Sequence, residues 1–135
     1  MCMYRTFDLA ETRNCHCLAA RRMARELTRL YEEKLRPHGL RATQFSVLAA
    51  LSQMGSATIG ELADALGLER TSLSRSAALL ARNGWIASDE SARDAREHVL
   101  SLTPSGLAKL EAAFPDWHAA QELVERDWAR HEQGE

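Results

Sequence analysis

The stretch from Glu69 to Arg75 carries hydroxyl and guanidinium groups in close succession, a combination suited to binding nucleic acid. Hydroxyls can donate hydrogen bonds to phosphate or base acceptors, and an arginine fork can bind guanine through two parallel hydrogen bonds. Leu73, Ala77 and Leu80 recur at helical spacing, so we expect them to pack inward. The other side chains would then face outward, as DNA contacts or as an ordinary solvated helix face; they are Arg70, Thr71, Ser72, Ser74 and Arg75.

A helix-turn-helix is the element that would hold such a helix against a DNA groove. Ala63 is followed four residues later by Gly67 and six residues after that by Leu73. This spacing supplies a small residue where two helices touch, a glycine for the turn and an apolar anchor on the second helix. Thr58 and Glu61 form a capping box, which predicts where the first of the two helices begins.

A charged loop between two short strands follows these helices and indicates a β-hairpin wing. The pattern predicts strands over 85–87 and 98–102 and a polar loop over 88–97. Arg93 and Arg96 lie near the middle of this loop, where a tip can enter the narrow minor groove and its negative potential. Asp94 would be repelled by phosphate if it were unpaired, so we expect it to hold a neighbouring arginine. The same side chains also fit an exposed ion pair, which stabilises a fold by well under ~1 kcal/mol.

Helical periodicity accounts for most of the remaining chain. It predicts helices over 13–36, 42–54, 59–66 and 69–83, and two more after Thr103, separated where Pro115 breaks or kinks the chain. Asn14 is the expected cap of the first helix, and Thr103 is a cap followed by proline at the first helical position. The predicted fold class is therefore mainly α with a small β-hairpin wing, in one domain of 135 residues.

The sequence offers no motif for catalysis, so we do not expect an enzyme. It has no phosphate-binding glycine loop, no metal-spaced histidine pair and no nucleophile with an evident base. No apolar run approaches the length of a membrane span, and the start lacks a secretory apolar region, so we expect a cytoplasmic protein without membrane contact. We likewise expect no cofactor and no bound metal. The formal net charge of -2 does not favour nucleic-acid binding, but a local basic surface matters more than the total.

The chain resembles the MarR family of bacterial winged-helix regulators. The resemblance rests on the order of the helices and on the stretches Gly60-Glu-Leu-Ala-Asp-Ala-Leu-Gly-Leu68, Asn83-Gly84-Trp85-Ile86 and Asp94-Ala-Arg96 leading to Leu100-Ser-Leu-Thr-Pro-Ser-Gly106. It implies an obligate homodimer joined through residues 11–40 and 104–135, with a DNA-binding lobe over 42–103. It also implies a near-palindromic operator in double-stranded DNA and an effector site between the lobe and the dimer helices. The region after Pro115 is shorter than the family pattern, which implies a reduced or rearranged interface and pocket.

Cys15 and Cys17 stand at the expected start of the first helix. The positive end of a helix dipole stabilises a thiolate there, and some MarR-like proteins sense oxidants through a cysteine near this end. A thiol redox switch is therefore one hypothesis, and two small residues packed at a dimer interface is the other. Metal binding is disfavoured because residues two apart on a helix face away from each other.

A small aromatic or anionic effector is the alternative signal. The pocket candidates, by family position alone, are His16, Arg21, Gln44, Trp117 and His118, and each also fits a structural role. The predicted function is a DNA-binding homodimeric repressor, released from its operator by a small ligand or by thiol oxidation. The alternative is a winged-helix protein-interaction module that does not bind DNA.

Overall fold

The computed structural model describes residues 6–90 and 97–134, with side chains described as far as Trp128. The helices in these ranges are α1 His16–Leu35, α2 Ala42–Met54, α3 Ile59–Leu66, α4 Arg70–Arg82 and α5 Pro104–Gly134. The strands are β1 Ser56–Thr58, β2 Ile86–Glu90 and β3 His98–Leu102, and short 3-10 helices cover Leu9–Asn14 and Arg36–His38. This arrangement is a winged helix-turn-helix, mainly α with a small antiparallel sheet, as the sequence predicts.

The helix-turn-helix forms where its capping and turn residues place it. The Glu61 amide donates to Thr58 Oγ1 at 3.1 Å, and the Thr58 amide donates to Glu61 Oε1 at 2.9 Å, which confirms the capping box. Gly67 ends α3 with a φ of 65°, in the left-handed region that glycine adopts without strain. Glu69 is then the N-cap of α4, so the turn between the two helices spans only Gly67 to Glu69.

One apolar core lies between α2, α3, α4 and the sheet, and it fixes which face of α4 is free. Leu73, Ala77 and Leu80 are all buried, as their spacing predicts. They join a cluster that includes Leu48 and Leu62, both without exposed surface. Full burial of a leucine side chain stabilises a fold by roughly 1.5–3 kcal/mol, so the inward face of α4 is strongly specified.

The sheet has three strands in the order β1-β3-β2, one more than the predicted hairpin. β1 is only three residues long, and its pairing with β3 places the buried Ala57 opposite Leu100. β2 continues to Glu90, which pairs with His98, so the predicted loop over 88–97 is too long at its start. Polar side chains disfavour a strand assignment from sequence, but pairing with β3 satisfies their backbone groups in spite of this.

The predicted cap of α1 at Asn14 is wrong by one residue. Asp8 accepts a hydrogen bond from the Ala10 amide at 3.1 Å and so begins the 3-10 helix that ends at Asn14. Because Asn14 already lies in a helical turn, Cys15 takes the N-cap position of α1 in extended backbone, and its side chain makes no capping bond. The first helix therefore begins at His16, with both candidate redox cysteines at its start.

α5 runs without interruption past Pro115, so the predicted break there is wrong. Proline removes one helical hydrogen bond, but the packing on both sides of it is extensive. Ala113 and Ala120 are fully buried, and Trp117 stacks on Phe45 with ring centroids 5.6 Å apart. Neither α5 nor any other helix in the described part of the chain is apolar enough, over a sufficient length, to cross a membrane.

The start of α5 is fastened to the turn after α4. Thr103 donates twice, from Oγ1 to the Gly84 carbonyl at 2.6 Å and from its amide to the Trp85 carbonyl at 3.1 Å. The Gly106 amide donates to Thr103 Oγ1 at 3.0 Å, which confirms Thr103 as the cap. Gly106 passes so close to Trp85 that a Cβ in its place would lie 1.9 Å from the Trp85 carbonyl oxygen. Position 106 therefore requires glycine, because any side chain there would clash with the Trp85 carbonyl.

Gly106→Ala is expected to lower the free energy of unfolding by about 1–3 kcal/mol, the usual cost of forcing extra volume into a packed site. The loss should outweigh the higher helix propensity of alanine, because α5 would have to move off the Trp85 carbonyl. Urea unfolding at matched protein concentration measures the change. Ser105→Ala, exposed in the same turn, is the control and should stay within about 0.5 kcal/mol of the parent. Equal stability of Gly106→Ala and parent would contradict this seating of α5.

Candidate nucleic-acid interface

The outward face of α4 carries the polar side chains that the sequence assigns to DNA contact. Four of them, Thr71, Ser72, Ser74 and Arg75, are exposed on the side of the helix opposite its buried leucines. Arg75 has no hydrogen-bond or ion-pair partner among the described residues. An exposed arginine without a partner breaks no existing ion pair or hydrogen bond when it binds phosphate or guanine. This face can therefore bind an anionic or hydrogen-bonding ligand.

Arg70 is also exposed, but it lies differently from the other four. Its guanidinium rests against Gly60 in α3, so close that a Cβ on Gly60 would lie 2.8 Å from Arg70 Nη2. The sequence placed Arg70 on the outward face together with Arg75, and the structure instead directs its tip back towards α3.

The wing is described at its base and not at its tip. The predicted minor-groove residues Arg93, Asp94 and Arg96 lie outside the described residues. At the base, the pair of Glu90 in β2 and His98 in β3 closes the antiparallel ladder.

The five effector candidates do not converge on one pocket. Gln44 is buried and its Oε1 accepts a hydrogen bond from the Arg41 amide at 2.9 Å, so it caps α2. His118 stacks on Phe114, with ring centroids 5.9 Å apart, and its Nδ1 lies 3.3 Å from Glu122 Oε1. His16 and Arg21 are exposed on α1, and Trp117 lines a cleft that contains none of the other four.

That cleft has a volume of about 340 Å³ and lies between α1, α2 and α5. Its lining is mostly apolar and aromatic; it comprises Ala24, Leu27, Thr28, Tyr31, Leu35, Ala42, Ser46 and Trp117. Tyr31, which the sequence gave no reason to single out, has its ring centroid 6.4 Å from that of Trp117, and its hydroxyl is hydrogen-bonded to Gln121 Oε1. The position of Tyr31 among the apolar residues of α1 was a signal from which the sequence analysis could have found it.

Cys15 and Cys17 are both exposed free thiols at the start of α1. Their side chains are thus accessible to a dissolved oxidant in this single chain. Neither is covered by another described part of the protomer, so packing at a dimer interface would have to come from a second copy.

The fold and the exposed face of α4 define a winged helix-turn-helix protein of the transcription-regulator class, and comparison with known proteins gives its family. A family model described as MarR family matches residues 38–97. The Mycobacterium tuberculosis transcriptional regulator MosR, solved in complex with DNA, is 38% identical, with 89% of this chain and 95% of that chain covered and a TM-score of 0.72. The chain belongs to the MarR family, whose members are transcriptional regulators and not enzymes.

One further relative and one further solved structure are also similar to this chain. The Bacillus subtilis HTH-type transcriptional regulator YwoH is 33% identical over 88 residues, which is 65% of this chain and 64% of that protein. The chain therefore matches less than two thirds of the length of YwoH. A mutant of Escherichia coli MarR, solved with operator DNA, is 24% identical with a TM-score of 0.71; the match covers 93% of this chain and 98% of that one, and it supports the fold alone.

Alkaline pH should reveal the burial of Tyr31. Burial raises the pKa of the Tyr31 hydroxyl above its ordinary value of 10.0, and the nearby Glu125 carboxylate raises it further. A group held protonated in the fold contributes stability that is fully present below the unfolded pKa and is lost as pH rises through the folded one. Above about pH 10 we therefore expect the thermal midpoint of the parent to fall more steeply with pH than that of Tyr31→Phe, and below pH 9 we expect the two curves to run parallel. Parallel curves for the two proteins above about pH 10 would contradict the burial of this hydroxyl.

Proposed function

We propose that this protein is a homodimeric transcription regulator that binds a near-palindromic operator in double-stranded DNA and acts as a repressor. The observation that supports this most directly is the exposed polar face of α4. Its hydroxyls and Arg75, which has no partner within 6–90 and 97–128, lie opposite a buried apolar face. The similarity to MosR, which was solved bound to DNA, supports the same conclusion.

In the proposed complex the start of α4 enters the major groove. Arg75 binds a guanine edge or a phosphate, and Thr71, Ser72 and Ser74 bind phosphates or base acceptors near the N-terminal end of the helix. Arg93 and Arg96 of the wing would reach the minor groove with Asp94 orienting them, as the sequence predicts. Phosphate contacts set the register, while the base contacts provide the sequence preference.

Dimerisation is proposed through residues 11–40 and 104–135. The first half of α1 is exposed along its whole length in the single chain, and Leu18 and Met23 keep about half of their surface exposed. Phe114 and Trp128 on α5 are exposed to a similar extent. Large apolar side chains gathered on two adjacent helices favour a protein–protein interface over open solvent. A two-fold dimer would place two copies of α4 on the half-sites of a near-palindrome.

Arg75→Ala is expected to weaken binding to the operator about tenfold, since one bidentate base contact contributes roughly 1–3 kcal/mol of discrimination. Fluorescence anisotropy with duplex DNA from beside the protein's own gene measures this, with scrambled duplex as the reference. The titration should saturate at two chains per duplex. Arg41→Ala, which removes an exposed arginine that lies outside both the proposed DNA contacts and the proposed dimer segments, is the matched control and should retain parental affinity.

Two results would count against the proposal. If the parent binds operator and scrambled duplex equally, no sequence is being read. If neither duplex is bound, and a screen of upstream regions finds no other operator, the winged helix is a protein-interaction module, as the alternative holds.

Release from DNA is proposed to follow oxidation of Cys15 and Cys17. One thiolate would attack peroxide, giving a sulfenic acid and hydroxide, and the second thiol would condense with the sulfenic acid to form a disulfide and release water. Cys15 is the extended N-cap of α1 and Cys17 is its second residue, so closing this bond would require the backbone at the start of α1 to adjust to disulfide geometry. The alternative trigger is a small aromatic or anionic ligand in the cleft beside Trp117, the one family-position candidate that lines it.

Peroxide is expected to reduce DNA affinity of the parent at least tenfold, and a thiol reductant should restore it. Cys15→Ser, Cys17→Ser and the double variant should each retain full affinity under peroxide, because none can form the disulfide. Cys2, the remaining cysteine, is changed to serine in a separate control that should still respond. If the double variant loses affinity under peroxide as the parent does, the switch lies elsewhere.

A further inference from the structure

Arg70 begins α4, yet its guanidinium lies on the second residue of α3. A Cβ placed on Gly60 would approach Arg70 Nη2 to 2.8 Å and Cζ to 3.2 Å. Both distances are shorter than ordinary van der Waals contact, so the guanidinium occupies the space that a side chain on Gly60 would fill. Gly60 has no left-handed backbone angle to explain its glycine. A Cβ at Gly60 would therefore require the tip of Arg70 to move from its place on α3.

The contact between Arg70 and Gly60 lies beside several acidic side chains. The guanidinium lines a cleft of about 420 Å³ between the start of α3, the start of α4 and the start of β3. The N-terminal end of a helix disfavours a positive charge, whereas nearby carboxylates favour one. The polar members of the cleft lining are Thr58, Glu61, Asp64, Arg70, Glu97 and His98, three of which are carboxylates.

The cleft joins three parts of the DNA-binding lobe. Gly60 and Asp64 belong to α3, Arg70 to α4, and Glu97 with His98 to the base of the wing. Among the described residues Arg70 makes no ion pair within 4.0 Å, so the position of its tip rests on its packing against Gly60. A planar guanidinium can lie flat on the backbone at Gly60, which the tetrahedral ammonium of lysine cannot do.

We propose that Arg70 is a positioning residue, which sets the first turn of α4 against α3 and the base of the wing instead of reading DNA itself. This inference rests on the proposed function, since the residues it would position are the DNA contacts of α4. Thr71 and Ser72 follow Arg70 directly, so fixing its backbone fixes theirs. Arg75, one turn further along and without a partner among the described residues, remains the arginine that meets DNA.

A thermal double-mutant cycle tests the seat without any DNA. In the Arg70→Ala background, Gly60→Ala should raise the melting midpoint by about 2–4 °C, because alanine favours the helix and nothing is displaced. In the parent, the same change should bring no gain, since the new Cβ expels the guanidinium. Equal shifts in both backgrounds would show that Arg70 does not rest on Gly60 and would overturn the proposal.

DNA binding separates positioning from direct contact. We expect Arg70→Ala, Arg70→Lys and Gly60→Ala each to weaken operator binding about tenfold, without changing the dependence of log K on log salt. A direct phosphate contact would tolerate lysine, and its loss to alanine would reduce the salt slope by about 0.9. Arg75→Ala, which is expected to weaken operator binding about tenfold, is the matched control for the loss of an arginine that contacts DNA directly. Retained affinity in Arg70→Lys, or in all three variants, would overturn the proposal. If the parent binds no duplex, the proposed function fails, and the contact between Arg70 and Gly60 is then tested by the thermal double-mutant cycle alone.

Discussion

The contact between Gly106 of α5 and the Trp85 carbonyl leaves no room for a side chain, and the position of α5 on the lobe formed by residues 42–103 depends on it. α4 ends just before Gly84, β2 begins beside Trp85, and α5 begins at Thr103, so three elements meet within one turn. Thr103 binds the carbonyls of both Gly84 and Trp85, and Gly106 lies directly on the second of them. The positions of α4, β2 and α5 relative to one another are therefore set at this one junction.

A second set of contacts supports this junction from the other side. Lys109 Nζ donates to the His38 carbonyl at 3.0 Å and lies 5.0 Å from the centre of the Trp85 ring. His38 Nε2 lies 2.7 Å from Asp116 Oδ2, which ties the turn between α1 and α2 to α5. Each contact is modest alone, but together they hold α5 at two points along its length. The angle between α5 and the lobe is accordingly set by several side chains acting together.

Sequence patterns predict the elements that local chemistry decides. Helices α2 and α3, the Thr58 capping box and the buried face of α4 follow from periodicity and caps, and the structure agrees with each. β1 could not be predicted, because three residues carry no period and its pairing with β3 is a long-range contact. The uninterrupted α5 was missed because the local preference of Pro115 opposes it, while packing around Ala113 and Trp117 comes from other elements. The outward position of Arg75 follows from its own helix, whereas the seat of Arg70 depends on a glycine ten residues earlier.

The length of α5 gives the junction at its base a mechanical meaning. At about 1.5 Å per residue, its 31 residues form a rod roughly 46 Å long. A rotation of about 5° at Gly106 would sweep the far end of that rod through about 4 Å, most of the rise of one helical turn. The two ends of α5 are therefore unequally coupled. A turn of a few degrees at the base is magnified into a shift of several ångströms at the far end, whereas the far end must move through that whole shift to turn the base by the same few degrees.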